Sequence, residues 1–195
     1  MTGLFIPQGP VVIIKDEQGA SVLPDVNPAL TYGGPLVILV NRHTASAGEI
    51  LAGALQDYGR AIVVGDSRTH GKGTVQTVKQ LGVEGELGSI KVTNAQFYRI
   101  TGSSTQLKGV TSDIWVPSPF DYTRTGEERL PYALQWSMTQ RARFRPFAEI
   151  TSAVREINRL SEKRLAESER FVNYTNMLVQ FEAINLEEEL PLNLE

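Results

Sequence analysis

Apolar residues in the first half of the chain come in short runs of strand length. Residues 11–15 and 35–41 read as strands, and residues 61–65 form a third continuous apolar run of the kind buried in a sheet. Between the second and third runs lies an Ala-rich stretch, residues 45–58, with Ile50, Ala54, Leu55 and Tyr58 at helical spacing. Strand, helix, strand in that order predicts a compact βαβ crossover, hence an α/β fold with a mixed β-sheet that is parallel in part. Residues 75–81 and 89–100 mix β-branched with polar positions, which predicts strands with one face exposed or strands projecting from the main sheet. Residues 113–116 add a short edge strand.

Near Pro131 the period changes from two to 3.6. Phe147, Ile150, Val154, Ile157 and Leu160 form one helical stripe, and Phe171, Tyr174, Leu178 and Phe181 a second. The expected division is therefore 1–135 for the α/β unit and 136–195 for a helical segment. Residues 141–195 carry eight Lys+Arg and ten Asp+Glu, mixed in sign, so this region reads as a solvated helical pair. The closing Leu192-Asn193-Leu194-Glu195 has neither cap nor polar tail, and the opening Thr2-Gly3-Leu4-Phe5 resembles the middle of an element, so both ends are expected to be cut.

Composition narrows the function. At 195 residues and 41% hydrophobic the chain is long enough to bury a sizeable core. With 19 Lys+Arg against 22 Asp+Glu, the net charge of -3 provides no electrostatic footprint for nucleic acid. No window approaches the roughly 18 consecutive apolar residues of a membrane span. The absence of Cys excludes a thiol nucleophile, disulfides and sulfur-based zinc sites.

Two places could carry chemistry. Residues 40–50 run from a strand through a turn crowded with small residues into a helix. Ser46 and Glu49 have the S-x-x-E spacing of a capping box. The same geometry also exposes the Ser46 hydroxyl to a substrate carbonyl, with the Ala47 amide as a natural oxyanion donor. A serine nucleophile needs a base. His43 stands at the strand end, where a surface role is the better reading. The other place is Thr69-His70-Gly71-Lys72-Gly73-Thr74, a lysine between two glycines after the third apolar run. Phosphate binding is excluded by spacing: five residues separate Gly65 from Gly71 where a Walker A loop has four, and a strand follows where a helix should begin. A surface lysine in a glycine turn and a Ser-Lys dyad remain, the dyad requiring an amine kept dry and uncharged.

These residues together carry a longer pattern. Asn41-Arg42-His43-Thr44-Ala45-Ser46-Ala47-Gly48-Glu49-Ile50, Gly71-Lys72-Gly73-Thr74-Val75-Gln76, Gln96-Phe97-Tyr98-Arg99, Gly102-Ser103-Ser104-Thr105-Gln106 and Lys108-Gly109-Val110-Thr111-Ser112-Asp113-Ile114 strongly resemble the tail-specific, or C-terminal-processing, serine proteases, in their bacterial periplasmic branch. The resemblance implies a ClpP/crotonase-like protease core, of which residues 1–135 would be the C-terminal half, followed by the start of a helical domain. It implies Ser46 as nucleophile, Lys72 as general base, Gln76 as the residue orienting the lysine amine, and Ala47 as an oxyanion donor. Asp57 matches an acidic position of the family; three helical turns separate it from Ser46, which gives it an indirect role with Arg60 or Tyr58. No metal or cofactor is implied. The implied partners are proteins or peptides with apolar C-termini, an adaptor protein, and further copies of the chain through exposed sheet edges; the implied compartment is the periplasm. Two departures stand out. His70 occupies a position that is usually aromatic, and the loop at residues 66–68 is one residue longer than is typical. The family's PDZ domain and its second oxyanion amide have no counterpart here, so the chain is expected to be a fragment with weak activity alone. Because the same scaffold carries binding domains without catalysis, a non-catalytic binding module is the alternative.

Overall fold

The computed structural model describes residues 1–186; the reading of Leu192 to Glu195 lies outside them. Seven strands and three helices follow one another as β1 (Gly9–Asp16), β2 (Gly19–Asp25), β3 (Val37–Val40), α1 (Ala47–Asp57), β4 (Ile62–Gly65), β5 (Thr74–Gln80), β6 (Ser89–Tyr98), β7 (Ile114–Trp115), α2 (Thr151–Ala166) and α3 (Glu169–Leu186). The α/β class holds, and so does the crossover: β3 and β4 pair in parallel across α1, Val37 opposite Ile62 through Val40 opposite Gly65. Parallel and antiparallel pairings fall in two sheets. One is parallel, in the order β3-β4-β7; the other is antiparallel, in the order β2-β1-β6-β5.

Helix α1 lies between the two. Ala52 meets Val40, Val63 and Val110 on the parallel side, while Leu55 and Tyr58 join Ile6, Ile13, Tyr98 and Ile100 on the antiparallel side. An Ala-rich helix suits this place, because small side chains let a helix approach sheets on two faces. The burial of these apolar side chains is the main force that fixes the head of α1 relative to both sheets.

The strand β2 was not anticipated, since Gly19–Asp25 contains Pro24 and is exposed along nearly its whole length. It forms the edge of the antiparallel sheet, where a proline is tolerated. Strands β5 and β6 are buried only where they meet the body, at Thr74 and at Phe97 and Tyr98, and their far ends project with both faces exposed. The helical stripes are shorter than their patterns. Phe147 precedes α2 in an extended segment whose amide donates to the Tyr58 carbonyl at 2.8 Å. Helix α2 then contacts β7 and α3. Among the described residues, no helix is long and apolar enough to cross a membrane.

Candidate active site

The chain leaves β3 at Val40 and enters α1 at Ala47 through a clamped turn. The Asn41 side chain accepts from the His43 and Thr44 amides at 3.0 and 3.1 Å, which tightens the turn locally. Arg42, buried, ties it to distant segments: its amide donates to Asp66 Oδ2 at 2.8 Å, and its guanidinium donates to the Thr69 carbonyl at 2.8 Å, the Thr125 carbonyl and Glu128 Oε1. Ser46 follows as the helix N-cap with φ 54° and ψ -113°. Only glycine adopts such a backbone readily, and a residue with a Cβ held there stores on the order of 1–3 kcal/mol of strain. The Ala47 N–H, first in the helix, has no acceptor among the described residues. A cavity of about 440 Å³ lies beside it, lined by Val11, Ala47, Ile50 and Leu51 among others.

Glu49 proves to be much more than a cap. It is fully buried and accepts four hydrogen bonds: Oε1 from Thr69 Oγ1 at 2.6 Å and Gly71 N–H at 2.7 Å, Oε2 from Ser46 N–H at 2.9 Å and Lys72 N–H at 3.0 Å. Because two of these bonds converge on one oxygen, the backbone nitrogens of Ser46 and Lys72 are no more than about 6 Å apart. Burial pushes the Glu49 carboxyl above its ordinary value, and the four donors pull it part of the way back. All four neighbours donate, two to each carboxylate oxygen, so both oxygens are fully engaged.

The loop that carries Lys72 is held residue by residue. Gly71 has φ 94°, and a Cβ there would come within 3.0 Å of the Leu107 carbonyl carbon. A Cβ on Gly73 would come within 2.8 Å of the Gln106 nitrogen, so neither glycine is replaceable without moving backbone. Leu107 N–H donates to the Gly71 carbonyl at 2.8 Å, Thr105 Oγ1 to the Lys72 carbonyl at 2.9 Å, and Gly73 N–H to Gln106 Oε1 at 2.7 Å. The Lys72 side chain is half-buried, and its amine has no partner among the described residues.

The other expected site residues fall elsewhere. Gln76 is exposed on β5, just past a bulge in the pairing with β6, and its side chain makes no hydrogen bond among the described residues. Asp57 pairs with neither Arg60 nor Tyr58. Instead its carboxylate holds Arg99, from Nε to Oδ2 at 3.1 Å and from an Nη to Oδ1 at 2.5 Å, while Arg60 donates to the Phe5 and Tyr32 carbonyls and Tyr58 to that of Pro10. His43 is exposed and meets the Phe120 ring edge-on at 4.5 Å. His70 Nε2 stands 3.4 Å from Glu127 Oε2. Arg42, Arg99, Gln106 and Glu127 carry no assigned role in the sequence, because their partners lie 21 to 86 positions away and leave no trace in local spacing. Among the described residues no three His, Asp or Glu side chains cluster so as to hold a metal ion.

A strained serine at a helix head is thus tied, through backbone amides and one buried carboxylate, to a lysine in a glycine loop. The chain belongs to Peptidase family S41, whose pattern matches residues 1–116; residues 120–195 match the C-terminal domain of tail specific protease. A tail-specific protease of Haemophilus influenzae is 40% identical over 172 residues, which cover 85% of this chain and 25% of that protein. A carboxy-terminal-processing protease of Bartonella bacilliformis is 39% identical over 121 residues, 61% of this chain and 27% of that protein. Among solved structures, the photosystem II D1 C-terminal processing protease superposes with a TM-score of 0.53 at 37% identity, covering 59% of this chain and 29% of the other. The chain thus spans about a quarter of the length of the curated relatives it matches.

Proposed function

We propose that Ser46 and Lys72 form the catalytic dyad of a serine endopeptidase that acts on proteins selected by their C-terminal tails. The observation that carries this reading is the convergence of the Ser46 and Lys72 amides on a single buried oxygen of Glu49. In the reaction, the Lys72 amine takes the proton from the Ser46 hydroxyl as its oxygen attacks the scissile carbonyl, and returns it to the leaving amine. The unpartnered Ala47 N–H stabilises the oxyanion that forms. Water then hydrolyses the acyl-serine with the same amine as base. The backbone strain at Ser46 supports the assignment, because a cap alone gains nothing from an unfavourable φ. The apolar cavity beside Ala47 suits an apolar side chain of the substrate.

The relatives' names, tail-specific protease and carboxy-terminal-processing protease, support C-terminal processing as the substrate class, and the periplasm enters this proposal from the family resemblance alone. In the full-length protein, Ser46→Ala and Lys72→Ala lower hydrolysis of a fluorogenic peptide with an apolar C-terminus by at least about a thousandfold while circular dichroism stays unchanged. Wild-type activity in either variant overturns the dyad.

A further inference from the structure

Building on the assignment of Lys72 as the base, we infer that Gln106 and Glu127 are positioning residues that close a ring of contacts on the segment carrying the lysine. Gly73 N–H donates to Gln106 Oε1 at 2.7 Å, Gln106 Nε2 donates to Glu127 Oε1 at 3.3 Å, and Glu127 Oε2 lies 3.4 Å from His70 Nε2. His70 and Gly73 flank Lys72 in the chain, so the contacts return to the segment from which they start. The Glu127 amide also donates to the His70 carbonyl at 3.0 Å, which fixes the carboxylate on that side. Both ring members are buried, Gln106 at 1% exposure and Glu127 at 6%.

The chemistry of the ring restricts what can stand at position 106. Its side chain accepts from Gly73 with one terminal atom and donates to an acidic group with the other, which an amide does and an ionised carboxylate or a hydrocarbon does not. Thr105 and Leu107 hold the carbonyls of Lys72 and Gly71, so three consecutive residues grip three consecutive residues of the lysine loop. The Lys72 amine has no partner of its own among the described residues, so its aim is set by the backbone that carries its stem, which Glu49 holds at one amide and this ring holds at the next. The ring sets the direction from which the base approaches Ser46, and displacement by about 1 Å lowers turnover by up to about a hundredfold.

The test is a set of variants of the full-length protein, with kcat and KM measured on a fluorogenic peptide. Gln106→Met keeps the volume, removes both bonds, and lowers kcat about 10- to 100-fold with KM within about threefold. Gln106→Glu sets two carboxylates against each other and lowers kcat at least as far. The double variant Gln106→Glu/Glu127→Gln exchanges donor and acceptor between the two positions while an oxygen still faces Gly73 N–H, and it recovers kcat to within about threefold of wild type. Lys72→Ala separates the two readings. If Lys72→Ala retains activity, the dyad falls and this ring with it. If Lys72→Ala is inactive while Gln106→Met and Gln106→Glu keep wild-type kcat, or while the double variant is no better than Gln106→Glu, the ring alone is overturned.

Discussion

Glu49 was legible in the sequence as one half of a capping box, and the structure keeps that bond, from the Ser46 amide to its carboxylate. Its remaining three donors come from Thr69, Gly71 and Lys72, more than a helical turn beyond anything local spacing reports. The residue is therefore a prediction in itself. Its folded pKa lies above the ordinary 4.5 because of burial. A carboxyl raised in this way contributes stability that is fully present below the unfolded value and is lost as pH rises through the folded one. Glu49→Gln removes that slope, so the wild type should lose stability relative to the variant as pH rises from about 4.5. Denaturant unfolding at a series of pH values checks it, and parallel curves would refute it. The variant also turns an amide nitrogen toward N–H donors, which loosens the tie between Ser46 and Lys72. Peptidase activity should fall at least about tenfold at neutral pH.

At the scale of elements, the crossover β3-α1-β4 was readable because continuous apolar runs around an amphipathic Ala-rich segment have few other solutions. Strand β2 was not, since an exposed edge strand needs no hydrophobic alternation. The partner of Asp57 is illegible for a related reason: local spacing points to positions 58 and 60, whereas Arg99 comes alongside α1 only through the end of β6. That bidentate pair links the last turn of α1 to the antiparallel sheet and is well shielded, its side chains 18% and 6% exposed. Breaking it leaves a buried charge unpaired. Asp57→Ala and Arg99→Ala should each destabilise by about 3–5 kcal/mol, and the double variant by much less than the sum. Additive losses in a double-mutant cycle would show that the two side chains do not act together.

For the molecule as a whole, the site depends on how α1 is seated between two sheets and the extended segment before α2, and Tyr58 joins three of these parts. Its hydroxyl donates to the Pro10 carbonyl in β1 at 2.9 Å, its carbonyl accepts from the Phe147 amide, and its ring meets Phe144 edge-on at 5.2 Å. Burial pushes the phenol from 10 up to about 12. The sign follows directly: the folded state holds the proton that the unfolded chain releases, so this stabilisation is intact below pH 10 and disappears as pH climbs through about 12. Tyr58→Phe keeps the ring and deletes the hydroxyl, leaving the Pro10 carbonyl without this donor. At neutral pH the variant should be less stable by about 1 kcal/mol. Between pH 10 and 12 the gap should close, because the wild type alone loses this contribution over that interval. Thermal melting of both proteins across the alkaline range decides it, and a gap that stays constant would mean that the hydroxyl does not tie the helix to the sheet.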